Sequence, residues 1–407
     1  EPVIRAAAGL GHAPEEADPD RYAARYAHCD VLVIGAGAAG LAAALAAAEA
    51  GARVILADEQ PEAGGALAHE SGARIDGEDG WAWAQGAAAT LRAMENVRVL
   101  ARTTAFGYYA QNFVGLAERV TDHLATPLPD LPRERLWKVR AKRVVIATGA
   151  IERHMVFPGN DRPGVMLASA ARTYLNHYGV AVGRRVGVYT ACDSAYHAAL
   201  DLKKAGIDVA AIVDQRDNPQ GPAVDEARAL GIAVHPGRVV GHAGGGLRVS
   251  SIAVAPKTGG AARTIRVDAL LTSAGWTPSL HLYSQSRGKV TYDVAGKRFL
   301  PGEAAQDCVC VGACNGADDL DDTLAEAFSA GHAAARAAGL KAGRAGARPK
   351  ATAAESAAGG VIGDLPGAEG KQAFVDFQND VTAKDIRQAV REGMRSIEHV
   401  KRFTTNG

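Results

Sequence analysis

The residues with the clearest chemistry are three glycines in Gly35-Ala-Gly-Ala-Ala-Gly40, set between the apolar run Val31 to Ile34 and the alanine-rich stretch Leu41 to Ala50. The spacing G-x-G-x-x-G, after a short β-branched run and before a helix-forming one, reads as strand, glycine turn and helix. Each glycine has a task there: Gly35 permits the tight turn, Gly37 lets backbone approach a pyrophosphate, and Gly40 brings helix close to strand. The helix N-terminus adds unpaired N–H groups and a partial positive charge for the phosphates. A second apolar run, Val54 to Ala57, ends on Asp58, near where an acidic side chain meets the ribose of a bound dinucleotide. The pattern predicts an adenine-dinucleotide site; the alternative is a turn whose glycines serve only packing.

The elements that position this turn must come from a chain of 407 residues, long enough for two or three domains, with 47% hydrophobic residues for their cores. Lys+Arg 45 balances Asp+Glu 45, and no basic cluster carries interleaved aromatics, so nucleic acid is not an expected partner. No apolar run reaches the length of a membrane span, and nothing reads as a signal peptide, so neither a membrane nor export is expected. Five cysteines, an odd number in a long chain, fit a reducing cytoplasm better than a disulfide framework. The chain starts at Glu1 rather than Met and reads as a piece of something longer.

Taken in order, residues 1–29 are expected to form a surface arm, with a Pro and acid cluster at Pro14 to Asp20. A first dinucleotide-binding unit is assigned to 30–160 and 269–340. Within it, Asp58-Glu59-Gln60-Pro61-Glu62-Ala63-Gly64-Gly65 is a loop closed by paired glycines, a helix is predicted from about Gly80 to Met94, and a strand from Val97 to Ala101. In the stretch from Ala141 to Ala150 a strand then runs straight into Ala147-Thr148-Gly149-Ala150. Residues 161–268 repeat the opening unit as strand Val186 to Tyr189, helix Ser194 to Lys204 and strand Val209 to Val213 ending on Asp214, followed by a β-meander. The repeat has lost its glycines: Thr190-Ala-Cys-Asp-Ser-Ala195 stands in their place, where Asp193 would repel a pyrophosphate while Asp193 or Ser194 caps the helix. The chain returns through Ala269 to Pro278, reaches Cys308-Val-Cys-Val-Gly-Ala-Cys-Asn-Gly316, and enters a helix from about Leu320 to Ala338. The C-x-C-x3-C spacing invites a metal, but without a C-x-x-C the cysteines read as packing residues. Residues 341–360 read as a linker, and 361–407 as a small helical module in which Thr382 and Asp385 form a capping box. No nucleophile, base and acid stand together, so no catalytic residue is assigned. His154 and His177 read as structural, and Lys401 with Arg402 are a candidate pair for meeting a flavin phosphate at a subunit interface, against the alternative of a solvated surface.

These motifs resemble those of two-dinucleotide-binding-domain flavoproteins of the pyridine nucleotide-disulfide oxidoreductase type, and within them the alpha subunits of heterotetrameric sarcosine oxidase. The resembling stretches are HCDVLVIGAGAAGLAAALAAAEAGARVILADEQ, FGYYAQNFV, ATGAIER, TACDSAYHAALDL, the Gly275-Trp276-Thr277-Pro278 turn, GACNG and FVDFQNDVTAKDIRQAVREG, which span nearly the whole chain. The implied fold class is α/β: two Rossmann-like domains, the second inserted in the first with its nucleotide site degenerate, plus the small C-terminal helical unit. FAD-binding relatives end the late strand in Gly-Asp, whose carboxylate holds the flavin side. Here Gly312-Ala313 stands instead, with Asn315 the nearest polar substitute, so NAD is favoured over FAD at the first site. The implied cofactor-binding set is Gly35, Gly37, Gly40, Asp58, Glu59, Gly64, Gly65, Thr148, Gly149, Gly312 and Ala313. The resemblance further implies FMN at a contact with a beta subunit, an FAD-bearing beta subunit that oxidises sarcosine with release of hydrogen peroxide, small accessory subunits, and tetrahydrofolate taken up by a further C-terminal domain. In related cyanide synthase and opine oxidase subunits the region matching Phe374 to Gly407 carries cluster-ligating cysteines; none lies beyond Cys314 here, so thiolate ligation of an iron–sulfur cluster is not expected. Two alternatives stay open: a free-standing reductase with FAD at the first turn and NAD(P)H at the second, and a non-catalytic nucleotide-binding scaffold.

Overall fold

The computed structural model describes residues 2–9, 15–126, 128–340, 346–360 and 372–407. Parts of the expected arm, linker and C-terminal module, at residues 1, 10–14, 341–345 and 361–371, lie outside the described residues, as does residue 127.

The first sheet runs in the order Val97–Leu100, Val54–Ala57, Tyr22–Ile34, Glu134–Ile146, Phe113–Arg119, Thr103–Tyr109, and Cys308–Cys310 joins beside the last residues of Glu134–Ile146. The first four strands are parallel and the Thr103–Arg119 hairpin is antiparallel. Val31, Leu32 and Val33 are fully buried because both sheet faces are covered at that level, which is why the run carries no polar alternation. Asp30 fixes where this buried half begins. It accepts from the Arg53 N–H at 3.0 Å and from the Arg53 Nε, and pairs with Lys142 at 2.9 Å. Burial pushes its carboxyl up, but the bonds from Arg53 and Lys142 outweigh that and hold it well below the ordinary value.

The strand expected from Val31 begins at Tyr22, so Tyr22 to Cys29, assigned to the arm, extend the sheet against Glu134 to Ala141. That half is mostly exposed, with only Ala23 and Ala27 half-buried before Cys29, and its partner lies far off in sequence, so composition gave no sign of it.

The helix Ala38–Glu49 leaves the glycine turn and is buried along nearly its whole length. It packs between the sheet and the helix Leu320–Ala337, and the fit is set by missing side chains. A Cβ on Gly40 would lie 1.8 Å from the Gly35 carbonyl oxygen, and one on Gly331 would lie 2.2 Å from that of Ala43. Both contacts are with backbone, which cannot swing away.

The inserted unit is a parallel sheet ordered Val165–Leu167, Ala269–Ser273, Arg185–Thr190, Asp208–Asp214, Val234–Pro236. A three-stranded meander, Arg238–Gly245, Val249–Pro256 and Arg263–Arg266, follows in sequence. The strand Ala269–Ser273, assigned to the return into the first unit, lies inside this second sheet and is buried throughout. The crossing back comes later, where Trp276–Pro278 pairs with Ala150–Glu152 in a two-stranded ladder joining the units. The C-terminal module opens with a hairpin, Phe374–Asp376 with Val381–Thr382, before helices Ala383–Arg391 and Ile397–Thr404; Thr382 and Asp385 form the capping box.

Residues 346–360, read from composition as part of a linker, form a bonded strap across both units. Arg348 forks onto Asp321 at 3.1 Å, and Ala351–Ala353 pairs with Arg74–Ile75. Glu355 then accepts from the Gly72 N–H at 2.8 Å and from Arg172 at 2.7 and 3.0 Å. Arg172 in turn meets Asp201 of the second unit at 2.7 Å. The strap lacks a hydrophobic period because backbone bonds and ion pairs hold it.

Burial pushes the Glu355 carboxyl up, yet the hydrogen bonds and charge of Arg172 outweigh this and hold it below its ordinary value. A depressed carboxyl stabilises the fold above its unfolded value of about 4.3, and that contribution is lost as pH falls through the folded one. Glu355→Gln is expected to lower stability at pH 7 by about 2 kcal/mol, less than the usual cost of breaking a buried pair because Asp201 still balances Arg172. The variant should also show a shallower loss of stability on acidification, read from urea unfolding midpoints between pH 7 and 4. Equal midpoints for variant and parent at pH 7 would contradict the clasp.

Candidate functional site

The carboxyl ends of Val54–Ala57, Tyr22–Ile34, Glu134–Ile146 and Cys308–Cys310 open into one cleft of about 760 Å³. Its position, outside the carboxyl ends of parallel strands, is where open α/β sheets bind ligands. Of the sequence-predicted residues, Gly35, Gly37, Asp58, Glu59, Gly64, Gly65, Thr148, Gly149 and Ala313 line it. Gly40 and Gly312 do not. Gly40 is consumed by its contact with Gly35, and Gly312 by the approach of Ala39, whose Cβ would stand 2.8 Å from an added one.

The three turn glycines separate on this geometry. Gly35 has φ +99°, and a Cβ there would meet the Ala147 carbonyl oxygen at 2.3 Å. Gly37 has φ −71° and ψ −173°, which any residue adopts, and a Cβ would find nothing nearer than 3.9 Å. The protein therefore requires glycine at 35 and 40 but leaves the space at 37 open to the cleft. Gly37 is also the N-cap of the Ala38–Glu49 helix, and among the described residues no side chain caps that terminus, so its N–H groups and partial positive charge are left for the cleft.

Asp58 accepts from the Ala36 N–H at 2.5 Å and the Gln60 N–H at 2.8 Å. Burial, partly offset by these bonds, raises its carboxyl above the ordinary value. It thus braces the glycine turn, and each oxygen keeps a second lone pair for a ligand hydroxyl. The Thr148 hydroxyl donates to the Ser279 carbonyl at 2.8 Å, so this side chain is spent on the crossing between units.

The second turn is built differently. Asp193 stands at the N-cap of Ser194–Lys204, as expected, but makes no capping bond. Its carboxylate instead accepts from Arg216 Nη1 at 2.7 Å and from the Ser356 hydroxyl at 2.9 Å. Asp214, the counterpart of Asp58, is fully buried and taken up by Arg216 and the Tyr196 hydroxyl. The strap lies on the turn itself: the Asp193 N–H donates to the Ala358 carbonyl at 2.9 Å and the Gly360 N–H to the Ala191 carbonyl at 3.0 Å. A Cβ on Gly359 would come 2.7 Å from the Ala191 oxygen. The chain's own backbone occupies the place where a second phosphate would approach.

At the late strand, Asn315 does not substitute for the missing acid. Its amide donates to Glu326, which also accepts from the Gly312 N–H at 2.8 Å, and it does not line the cleft. The helix beyond is capped by Asp319, which accepts from the Asp322 N–H at 3.0 Å. Asp318 and Asp319 both line the cleft, and Asp318 is held in a two-pronged ion pair by Arg298, another lining residue, at 2.7 and 2.8 Å.

Several lining residues escaped sequence reasoning: Glu152, Ser169, Arg172, Ser194, His197, Arg298 and Glu355. Glu152 sits within the ATGAIER stretch, and its nearness to the Thr-Gly turn was the available signal. His177 does line the cleft, edge-on to Trp81 at 5.5 Å between centroids, whereas His154 anchors the C-terminal module through the Phe374 carbonyl at 3.3 Å and the Phe377 ring at 4.7 Å. Cys310 and Cys314 are buried, and among the described residues no cluster of three or more His, Cys, Asp and Glu is placed to hold a metal. Among them, too, no helix is long and apolar enough to cross a membrane.

The pyridine nucleotide-disulphide oxidoreductase family model matches residues 29–297, and the sarcosine oxidase A3 domain model matches 370–407. The chain is 44% identical over 407 residues to sarcosine oxidase subunit alpha of Rhizobium meliloti (strain 1021), covering 100% of this chain and 40% of that protein. Against the same subunit of Corynebacterium sp. (strain U-96) it is 40% identical over 410 residues, covering 98% and 42%. The chain therefore spans about two fifths of the length of these curated relatives. Among solved structures, L-proline dehydrogenase from P. horikoshii superposes with TM-score 0.71 at 20% identity, over 96% of this chain and 72% of that one. T. acidophilum thioredoxin reductase gives 0.56 at 20% identity, over 76% and 97%. At such identities these two speak to the fold alone. Glycine turn, inserted second unit and family match agree: the chain belongs to the pyridine nucleotide-disulphide oxidoreductase family and, along its whole length, is homologous to sarcosine oxidase alpha subunits.

Proposed function

We propose that this chain is the NAD-binding part of the alpha subunit of a cytoplasmic sarcosine-oxidase-like complex. The observation that carries the reading is the space at Gly37, which no protein atom needs and which lies at an uncapped helix N-terminus in the cleft. Gly37 and the helix N–H groups would hold the pyrophosphate, and Asp58 would receive the ribose hydroxyls. Ala313 in place of an acid at the end of the late strand favours NAD over FAD. The covered turn at Thr190 to Ala195 argues against a second nucleotide in this chain, and so against a free-standing reductase needing two sites.

Such a complex oxidises sarcosine to glycine with O2, giving hydrogen peroxide and a one-carbon unit passed to tetrahydrofolate. In this reading the amine-oxidising residues belong to a flavin-bearing beta subunit, FMN lies at the contact between subunits, and small accessory subunits complete the assembly. Lys401 and Arg402, on the Ile397–Thr404 helix, are the residues proposed to face the FMN phosphate.

Acid release from the purified assembly, followed by mass and absorbance analysis, is expected to yield NAD in proportion to this subunit, beside the flavin of the beta subunit; no NAD in the released fraction would overturn the assignment. Gly37→Val should lower the melting temperature of the nucleotide-free assembly only slightly, as a poorer N-cap would, while weakening NAD roughly a hundredfold, through loss of about two charge-assisted bonds to phosphate. Full NAD retention by this variant would contradict the role given to the turn. Replacing Lys401 and Arg402 together by Ala should lower FMN content, and unchanged FMN would remove them from that contact.

A further inference from the structure

One end of the cleft holds polar atoms that the fold leaves unpaired. Glu152 is 6% exposed; its Oε2 accepts from the Ser169 N–H at 2.8 Å, while its Oε1 is buried with no partner among the described residues. His197 Nε2 and Arg298 Nε are likewise buried and unpaired, and all three residues line the same cleft. A buried polar atom without a partner costs about 1–3 kcal/mol, and three such atoms in residues that line one cleft point to a polar ligand group there, although the Arg298 fork is itself held by Asp318. Trp81, Tyr178 and Trp276 supply aromatic surface to the same cleft.

The charge balance narrows the ligand. Arg172 is 6% exposed and is met by two carboxylates, Asp201 and Glu355, so Glu152 adds an acid that no cation in that cluster balances. Glu70 lines the cleft too, but burial and the nearby Glu355 charge push its carboxyl up to about 7, so the surplus rests on Asp201 and Glu355 against Arg172. Burial pushes His69 down to about 4, and His197 below its ordinary value, so neither supplies a compensating charge at neutral pH. The surplus is negative. It suits a cationic ring carrying a neutral N–H donor and disfavours one carrying a carboxylate.

We propose that Glu152 selects the nicotinamide ring: its Oε1 accepts a hydrogen bond from the carboxamide NH2, and the surplus negative charge around Arg172 favours the oxidised, cationic ring. This rests on the reading of the glycine turn as an adenine-dinucleotide site and adds the identity of the second ring. Glu152 is here a specificity residue, with no part in bond making or breaking.

The test compares three ligands, by calorimetry on protein freed of bound nucleotide: NAD, nicotinic acid adenine dinucleotide, and ADP-ribose, which lacks the ring. In the parent protein NAD should bind at least about tenfold tighter than the nicotinic acid form, the worth of one buried hydrogen bond plus a like-charge penalty. In Glu152→Gln the Ser169 N–H still demands the side-chain oxygen, so the amide NH2 turns to the cleft. NAD should then weaken, the nicotinic acid form should strengthen, and ADP-ribose should be unchanged. Equal affinity of the parent for the two dinucleotides, or an unaltered ratio in the variant, would overturn the proposal while leaving the adenine site standing. Failure of ADP-ribose to bind the parent would remove the adenine site and this proposal with it. The parent comparison alone decides the matter should the variant not fold.

Discussion

The helix Ala38–Glu49 has no room around it, and the rest of the molecule follows from that. Its first turn touches the Gly35 carbonyl, the turn beneath touches the Ala147 carbonyl, and its far side meets Gly331 of the helix Leu320–Ala337. A methyl group at any of these contacts would collide with backbone, and forced overpacking of this kind costs about 1–3 kcal/mol or more. The close approach explains why small residues stand at these contacts, while Leu41 of the same helix is fully buried elsewhere in the core. It also carries the helix N-terminus to the carboxyl ends of the parallel strands, where its unpaired N–H groups face the cleft. Site and core are therefore one packing solution.

The second unit keeps the frame of the first without its chemistry. Its strand, helix and following acid are all present, but Asp214 is sealed by Arg216 and Tyr196, and Asp193 is turned to Arg216 and Ser356. The strap completes the change by laying backbone on the turn. A site that once lost its glycines could have stayed an open hollow; here it has become the anchor for a segment that also binds Arg172, Asp201 and Gly72. That segment ties the orientation of the two units to the same cluster of charges that borders the cleft.

Local pattern carried the parts of this fold made by neighbours in sequence. The opening strand, turn, helix and acid were legible because each is a short run with its own period, and the helix expected from about Ser194 to Lys204 is found there because the stretch repeats the opening unit up to Gly206. What stayed hidden depends on partners far away. Tyr22 to His28 read as an arm because its strand partner begins at Glu134, and Ala269–Ser273 read as a return because nothing local tells one parallel sheet from another. Asp193 was placed at the right position with the wrong partner: capping is a local inference, whereas Arg216 and Ser356 arrive from elsewhere. The glycine motif located the phosphate end of the cleft. The opposite end, with Glu152, Arg172, His197 and Glu355, is assembled from four separate segments and left no motif.

The central claim is that one nucleotide site survives in this chain and that it takes NAD. Its most direct test is the stoichiometry of binding to nucleotide-free protein, titrated in parallel with NAD and with FAD. One NAD per chain, bound more tightly than FAD, is the predicted result; two NAD per chain, or one FAD bound more tightly than NAD, would contradict it.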